Sequence, residues 1–507
     1  MRHKRKLSFS LALVMMLSVC FSAPITGFAA ADANNMMLTV LGTSDMHGTI
    51  TSWSYEGNTD TADRGLTHVK TIVDSVRKEN PNTLLIDNGD TIQGTILTDD
   101  LYNKDMTVKN PMIEMMNYVG YDSMTLGNHE FNFGLETVEK IKKEAKFPVL
   151  SANIYYAKDG KNFATPYTIK TVNGAKVAIL GLSVPSIKSW DASKVTSLEF
   201  KHMAEEAKKY VKILKEKEKV DVIIVSAHSG LESRHEEDGS DMAKLIAESC
   251  PEVTVMLTGH DHSVVNTTVN NVLVAAPTNG AVDMVRFDIN LTKENGKWTV
   301  KNKAASLIDL KKVVADPGAV KVAEPSHNKT MNFLKNIIGK ASGTFQPVSE
   351  VPGIPEAQVR DTAVIDLVNK VQMYYTNSAV SAAALFKADS NLPYGDLNYA
   401  NIFDIYKYPN TLVGVEVTGA QLKKYMEWSA GYYNTYKAGD LTISFDEKIR
   451  SYNYDMFAGV TYKVDISKPA GSRIVDLKRG GSSVQDTDTI RLAINNYRYD
   501  GLKKMGF

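Results

Sequence analysis

A chain of 507 residues, 43% hydrophobic and 23% charged, is too long for one ordinary domain and has ample apolar material for a packed core. That excludes a small cross-linked scaffold, and no disulfide or structural metal is needed to hold the fold. Lysine plus arginine equal aspartate plus glutamate at 58 each, so the basic face required by polymeric nucleic acid is missing.

At the N-terminus, Arg2, Lys4, Arg5 and Lys6 precede an apolar stretch from Leu7 to about Phe21 and the small residues Ala29-Ala30-Ala31. This is the layout of a secretory signal peptide over residues 1–31. The stretch is too short to span a bilayer comfortably, and Val19 fits poorly before a lipidated Cys20. The expectation is a protein exported to the cell wall, the periplasm or the medium, with no membrane span. Without the leader's four basic residues the net charge becomes about −4 and Cys250 is the only cysteine, so no internal disulfide forms. Cys250, before Pro251 at the end of a helical pattern, reads as a buried structural thiol.

From about Met36 to Leu310 strand-like and helix-like patterns alternate. Leu38–Leu41, Thr83–Ile86, Ala175–Leu182, Val220–Ser226 and Val253–Leu257 read as strands. Gly65–Lys78, Pro111–Val119 and His202–Glu218 read as helices. The alternation predicts a layered α/β domain over residues 36–312. Residues 313–345 read as a linking helix and loop, with a helical pattern over Asp316–Lys340 and no strand signal. A Pro- and Gly-rich boundary over Ser342–Gln358 leads into a smaller α/β domain, residues 346–507. That domain has helices near Ala363–Tyr375 and Gly419–Ala430 and strands near Thr411–Val417 and Thr489–Ile494.

Five short clusters in the first domain carry chemistry: Asp45-Met46-His47, Gly89-Asp90, Gly127-Asn128-His129-Glu130, His228, and Gly259-His260-Asp261-His262. Each follows an apolar run, and strand ends in an α/β sheet bring distant side chains to one crevice. Asp, Asn and His are oxygen and nitrogen donors that suit a pair of divalent metals. Singly each cluster is weak, and His68, His202, His235 and His327 read as ordinary core or surface histidines. The order of all five points to a metal-dependent hydrolase.

The clusters resemble those of the calcineurin-like metallophosphoesterases. The resemblance implies a four-layer α/β/β/α sandwich with two divalent metal ions at the sheet edge. One would be held by Asp45, His47, Asp90 and His262, the other by Asn128, His228 and His260, with Asp90 bridging. Two cations about 3.5–4 Å apart lower the pKa of a bridging water and clamp the attacking and leaving oxygens. Zn, Mn, Fe or Co all suit such donors. His129 would stabilise or protonate the leaving oxygen. Asp87 and Asn88 would shape a turn, with Asn88 able to reach the phosphate.

In the second domain Gly395-Asp396, Asn401–Asp404, Tyr406–Thr411 and Asn495–Arg498 resemble the C-terminal domain of exported nucleotidases. Tyr408 and Tyr497 match the two rings that sandwich the nucleobase there. Asn132 stands where 5′-nucleotidases commonly carry Asp, and Ser381–Phe386 replaces their Asn-Ala-Gly-Gly-Val/Ile-Arg phosphate-side motif. Those departures, with Pro185–Asp191, resemble the 2′,3′-cyclic-nucleotide 2′-phosphodiesterase/3′-nucleotidase branch. The implied protein is a monomer acting on small-molecule nucleotides. The alternatives are a 5′-nucleotidase or UDP-sugar hydrolase of the same fold, and a nucleotide- or metal-binding surface protein without turnover. The family continues past this point through a Gly-rich loop and a final helix, so the second domain is expected to be incomplete at Phe507.

Overall fold

The computed structural model describes residues 34–232, 241–345, 348–408 and 410–507. The expected leader and His235 lie outside them. Among the described residues no helix is long and apolar enough to cross a membrane.

Two six-stranded sheets lie face to face. The first runs, edge to edge, Lys297–Asp309, Asp283–Glu294, Asn35–Thr43, Thr83–Asp87, Ser123–Thr125 and Val149–Leu150. The second runs Val265–Val269, Val272–Ala276, Val255–Thr258, Val222–His228, Ala175–Ser183 and Tyr167–Val172. The inner strands of both are parallel and buried on both faces, which is why they read as continuous apolar runs. The period of two sorts their side chains. Val222 and Ile224 point between the sheets, where they meet Leu38, Val40, Leu84 and Leu257. Ile223 and Val225 point outward, to the helices Met203–Ile213 and Ala243–Ser249. Leu41 and Leu85 face the helices Leu66–Glu79 and Pro111–Val119 on the other side. The result is the α/β/β/α sandwich expected from the sequence. Cys250 sits inside the second helix layer, 1% exposed, and burial pushes its thiol up to about 11, so it is inert.

The linker differs from its sequence reading. The helix is Pro317–Leu334, and Ile337–Ala341 is a strand paired antiparallel with Gly395–Asn398. Its outward residues are exposed, so it lacks the apolar alternation that marks a half-buried strand. The second domain holds a four-stranded sheet in the order Leu412–Thr418, Thr489–Asn495, Val380–Ala383, Met456–Ala458. Ala363–Thr376 and Gly419–Ala430 pack on it. Asn496–Lys504 is a helix whose start is capped by the Asn495 side chain accepting from the Arg498 N–H at 2.8 Å. This helix packs against the short helix Ile187–Trp190 of the first domain, and Tyr399–Ile405 packs against Pro317–Leu334. One end of the second domain thus rests on the sandwich and another on the linking helix.

Beneath the capped helix, Arg498 Nε and Asp455 Oδ2 form an ion pair at 2.6 Å, both nearly sealed from solvent. Tyr425 donates to the same carboxylate at 2.7 Å, and the guanidinium also donates to the Tyr452 carbonyl at 2.9 Å. Removing one partner leaves a buried charge uncompensated. Arg498→Met is expected to lower the stability of the second domain by about 3–5 kcal/mol, read as a shift of its urea unfolding transition. A change below about 1 kcal/mol would mean the pair behaves as a surface salt bridge.

Candidate metal centre and cleft

The clustered donors sit where the parallel strands end. Asp45 and His47 follow Asn35–Thr43, Asp90 follows Thr83–Asp87, and Asn128 and His129 follow Ser123–Thr125. His228 closes Val222–His228, and His260 and His262 follow Val255–Thr258. The chain must leave each strand and turn back at once, and it does so through left-handed backbone. Asp45, His47, Asp90, His260 and His262 have φ of 52°, 46°, 53°, 75° and 54°. Non-glycine residues rarely occupy this region, and such strain gathers at functional sites. The neighbouring glycines answer to crowding. A Cβ on Gly89 would lie 2.4 Å from the Gly127 nitrogen, and one on Gly259 2.0 Å from Ser44 Oγ.

Two triads result, Asp45–His47–His262 and Asp90–His228–His260, each with its donor atoms within 4.8 Å of one another. His47 Nε2 and His262 Nε2 face each other at 3.0 Å, and His228 Nε2 lies 3.1 Å from both Asp90 Oδ2 and Asn128 Oδ1. Asn128 therefore joins the second triad. The remote ring nitrogens are committed elsewhere: His47 Nδ1 meets the Gln93 carbonyl at 3.1 Å and His228 Nδ1 the Asn88 carbonyl at 2.9 Å. Carbonyl partners of this kind turn Nε2 toward a metal. His260 Nδ1 is buried and has no hydrogen-bond partner among the described residues, which leaves a free donor atom.

The electrostatics agree. Desolvation, helped by His129 and His262, pulls His47 down to about 3, so its ring is a neutral ligand. His260 is lowered by burial and by His228. For His228 burial is outweighed by the Asp90 carboxylate, which lifts it to about 10. The buried carboxylates thus retain positive charge at this spot, and a divalent cation supplies it better than a proton. The donor set fits two metals.

Two residues play parts the sequence reading did not assign correctly. Asn88, expected to reach a phosphate, is fully buried. Its amide donates to the Ala227 carbonyl at 3.1 Å and to Ser44 Oγ at 3.3 Å, and accepts from Ser226 Oγ at 2.8 Å. It stitches the two sheets together and does not line the cleft. Glu130 closes the third cluster, and its carboxylate accepts four backbone N–H groups. These are Gly127 at 2.7 Å, Asp90 at 2.9 Å, Thr91 at 2.7 Å and Ile92 at 3.3 Å. No sequence signal marked it beyond its place after His129. Because Glu130 can only accept here, Glu130→Gln turns an NH2 toward two donors whichever way it lies. Metal affinity is expected to fall about 10–100-fold, measured by metal content after dialysis, and unchanged affinity would show that the loop holds itself.

A cleft of about 530 Å³ opens over the triads, within the range of small-ligand sites. The second domain supplies Phe386, Tyr408, Arg450 and Tyr497, while the first supplies His129 and Trp190. Tyr408 and Tyr497 are thereby brought to the same cleft as the metal triads. Tyr408 stacks over His129 with ring centres 6.2 Å apart and meets Phe386 edge-on at 4.7 Å. Phe386 ends the Ser381–Phe386 segment, whose sequence alone gives no sign of a place in the cleft. Trp190 stacks on His260 at 5.5 Å.

Residues 38–264 match the calcineurin-like phosphoesterase family, and residues 337–506 match the 5′-nucleotidase C-terminal domain. The chain is 31% identical, over 96% of its length, to the trifunctional nucleotide phosphoesterase protein YfkN of Bacillus subtilis, of which it spans only 37%. It is 29% identical to the 2′,3′-cyclic-nucleotide 2′-phosphodiesterase/3′-nucleotidase of Haemophilus influenzae, over 100% of this chain and 86% of that one. In fold it is similar to a putative 5′-nucleotidase from Staphylococcus aureus, with a TM-score of 0.80 and 23% identity over 92% of this chain and 91% of that one. The chain is thus a calcineurin-like phosphoesterase domain followed by a 5′-nucleotidase C-terminal domain, the build of a hydrolase.

Proposed function

We propose that this chain is an exported phosphoesterase that acts, as a monomer, on free nucleotides. It opens the 2′ ester of 2′,3′-cyclic nucleotides to give 3′-nucleotides, then hydrolyses these to nucleoside and phosphate. The observation that carries this choice over a 5′-nucleotidase is Phe386. Near the expected place of the 5′-nucleotidase motif the chain reads Ser381–Phe386, and the apolar ring of Phe386 packs on Tyr408. The full-length relatives named for the cyclic-nucleotide activity, at 28–29% identity, support the same reading.

Asp45, His47, Asp90 and His262 would hold one metal, and Asn128, His228 and His260 the other, with Asp90 shared. Divalent cations held there, zinc, manganese, iron or cobalt, would lower the pKa of a bound water and offset charge on the phosphate. Asp90 is suited to the shared position because Oδ1 accepts the His129 N–H at 2.7 Å, which fixes the carboxylate plane. His129 Nε2 lies 3.9 Å from Asp90 Oδ2 and gives its proton to the leaving ribose oxygen. Tyr408, over His129, would hold the base by stacking, with Tyr497 of the same domain as the second ring. A guest so held places its sugar next to His129.

Incubation with 2′,3′-cyclic AMP, 3′-AMP and 5′-AMP is expected to give turnover in that order of preference. Preferential hydrolysis of 5′-AMP would overturn the reading. Chelation, or Asp90→Asn, is expected to abolish phosphate release, with Mn²⁺ or Co²⁺ restoring only the chelated protein. If the metal-loaded protein releases no phosphate from any of the three, a nucleotide-binding role without turnover replaces catalysis. Tyr408→Ala removes about 1–3 kcal/mol of stacking, so KM for 3′-AMP is expected to rise about 5- to 150-fold with metal content unchanged.

A further inference from the structure

His129 reaches beyond the metal centre through a chain of three further side chains, Asn132, Asp191 and Lys194. His129 Nδ1 meets Asn132 Oδ1 at 2.7 Å. Asn132 Nδ2 donates to Asp191 Oδ2 at 2.9 Å, and Lys194 Nζ donates to Asp191 Oδ1 at 2.7 Å. Asp191 is 3% exposed and its backbone N–H closes the helix Ile187–Trp190, while Asn132 and Lys194 hold one carboxylate oxygen each.

An amide is ambiguous where a carboxylate is not. A carboxylate at position 132 would accept from Nδ1–H with either oxygen. Asn132 accepts with one end only, and its other end donates. We infer that Asp191 is a positioning residue for catalysis: by accepting from Asn132 Nδ2 it turns the amide oxygen to His129 and so selects the ring's Nδ1–H form. The inference rests on the phosphoesterase reading and adds to it the residues that aim the proton donor. When the ester bond to phosphorus breaks, the electron pair stays on the leaving oxygen, and the His129 Nε2 proton moves to that oxygen. The ring left behind is neutral and carries its proton on Nδ1, the form that Asn132 Oδ1 stabilises. A flipped amide would set NH2 against Nδ1–H and disfavour both the donor and its product.

Asp191→Asn tests this because of Lys194. The amide introduced at position 191 has one oxygen, and the ammonium claims it. Its NH2 then faces Asn132 and flips it. Adding Asn132→Asp repairs the chain. In the double variant the amide at position 191 accepts from Lys194 and donates to the new carboxylate at position 132. The second oxygen of that carboxylate accepts from His129. The order of charges and donors is complete again.

The readout is kcat on two esters, 3′-AMP with its poor alkoxide leaving group and p-nitrophenyl phosphate, whose leaving group needs little protonation. The unmodified protein must first hydrolyse both. If it hydrolyses neither, the phosphoesterase reading falls and takes this inference with it. Asp191→Asn is expected to lower kcat on 3′-AMP by about 10- to 100-fold, to lower it far less on the nitrophenyl ester, and to leave metal content and KM unchanged. N132D/D191N is expected to regain most of the loss. Equal losses on the two esters, or a double variant no better than D191N, would overturn the proposal while leaving the phosphoesterase reading intact. Should D191N fail to fold, N132D decides. Its carboxylate is forced against that of Asp191, so the same Asp191→Asn change must raise its activity on 3′-AMP. A further decrease in that background would overturn the assignment.

Discussion

Two carboxylates, Asp45 at 0% and Asp90 at 1% exposure, are buried where the two sheets end, and the surrounding structure exists to keep them there. An uncompensated carboxylate in such a place costs several kcal/mol. Four imidazoles converge on the pair, and Asp45 is held well below the usual carboxylate range because His262 and His228 outweigh its burial. Left-handed backbone at five donors is the geometric counterpart of this arrangement. Each turn would relax in isolation. They persist because the sandwich fixes the strand that enters each turn, and because Glu130 ties two of the loops together through four amides.

Much of this was legible in the sequence, for a specific reason. Polar donors placed directly after runs such as Val222–Ala227 and Val255–Leu257 have few structural uses, since a strand buried on both faces tolerates them only at its end. The order of the donors therefore reported both the strands and the crevice. The hairpins that widen the sheets were harder. Asp283–Glu294 and Lys297–Asp309 have one polar face, yet Asn295-Gly296 between them takes φ of 50° and 80°, and Asn173-Gly174 takes 46° and 83°. An Asn-Gly pair between strands is a hairpin signal, carried here by two residues rather than by the strands themselves.

Other features could not be read locally at all. Asn88 looked like a phosphate ligand because it stands two residues before Asp90. Only the approach of Ser226 and Ala227 from the second sheet reveals it as a stitch. Asp191 lies 59 residues from Asn132, and nothing in either segment announces the other. Ile337–Ala341 became a strand through its partner Gly395–Asn398, in spite of an exposed and weakly patterned sequence. In each case the deciding partner is distant in the chain, which is the information a single sequence withholds most completely.

The four amides gathered by Glu130 have a consequence for how this protein could change. They join the Gly89–Ile92 and Gly127–Glu130 loops into one body, and the His129 backbone N–H on Asp90 Oδ1 ties that histidine to the buried carboxylate. One jaw of the cleft is thus a fixed gauge, with the reacting distances set by the sandwich alone. The rings proposed to meet the guest, Phe386, Tyr408 and Tyr497, are all carried by the opposite jaw. Substitutions there can alter which molecule is gripped without disturbing the spacing at which it reacts, so recognition and chemistry are free to drift separately.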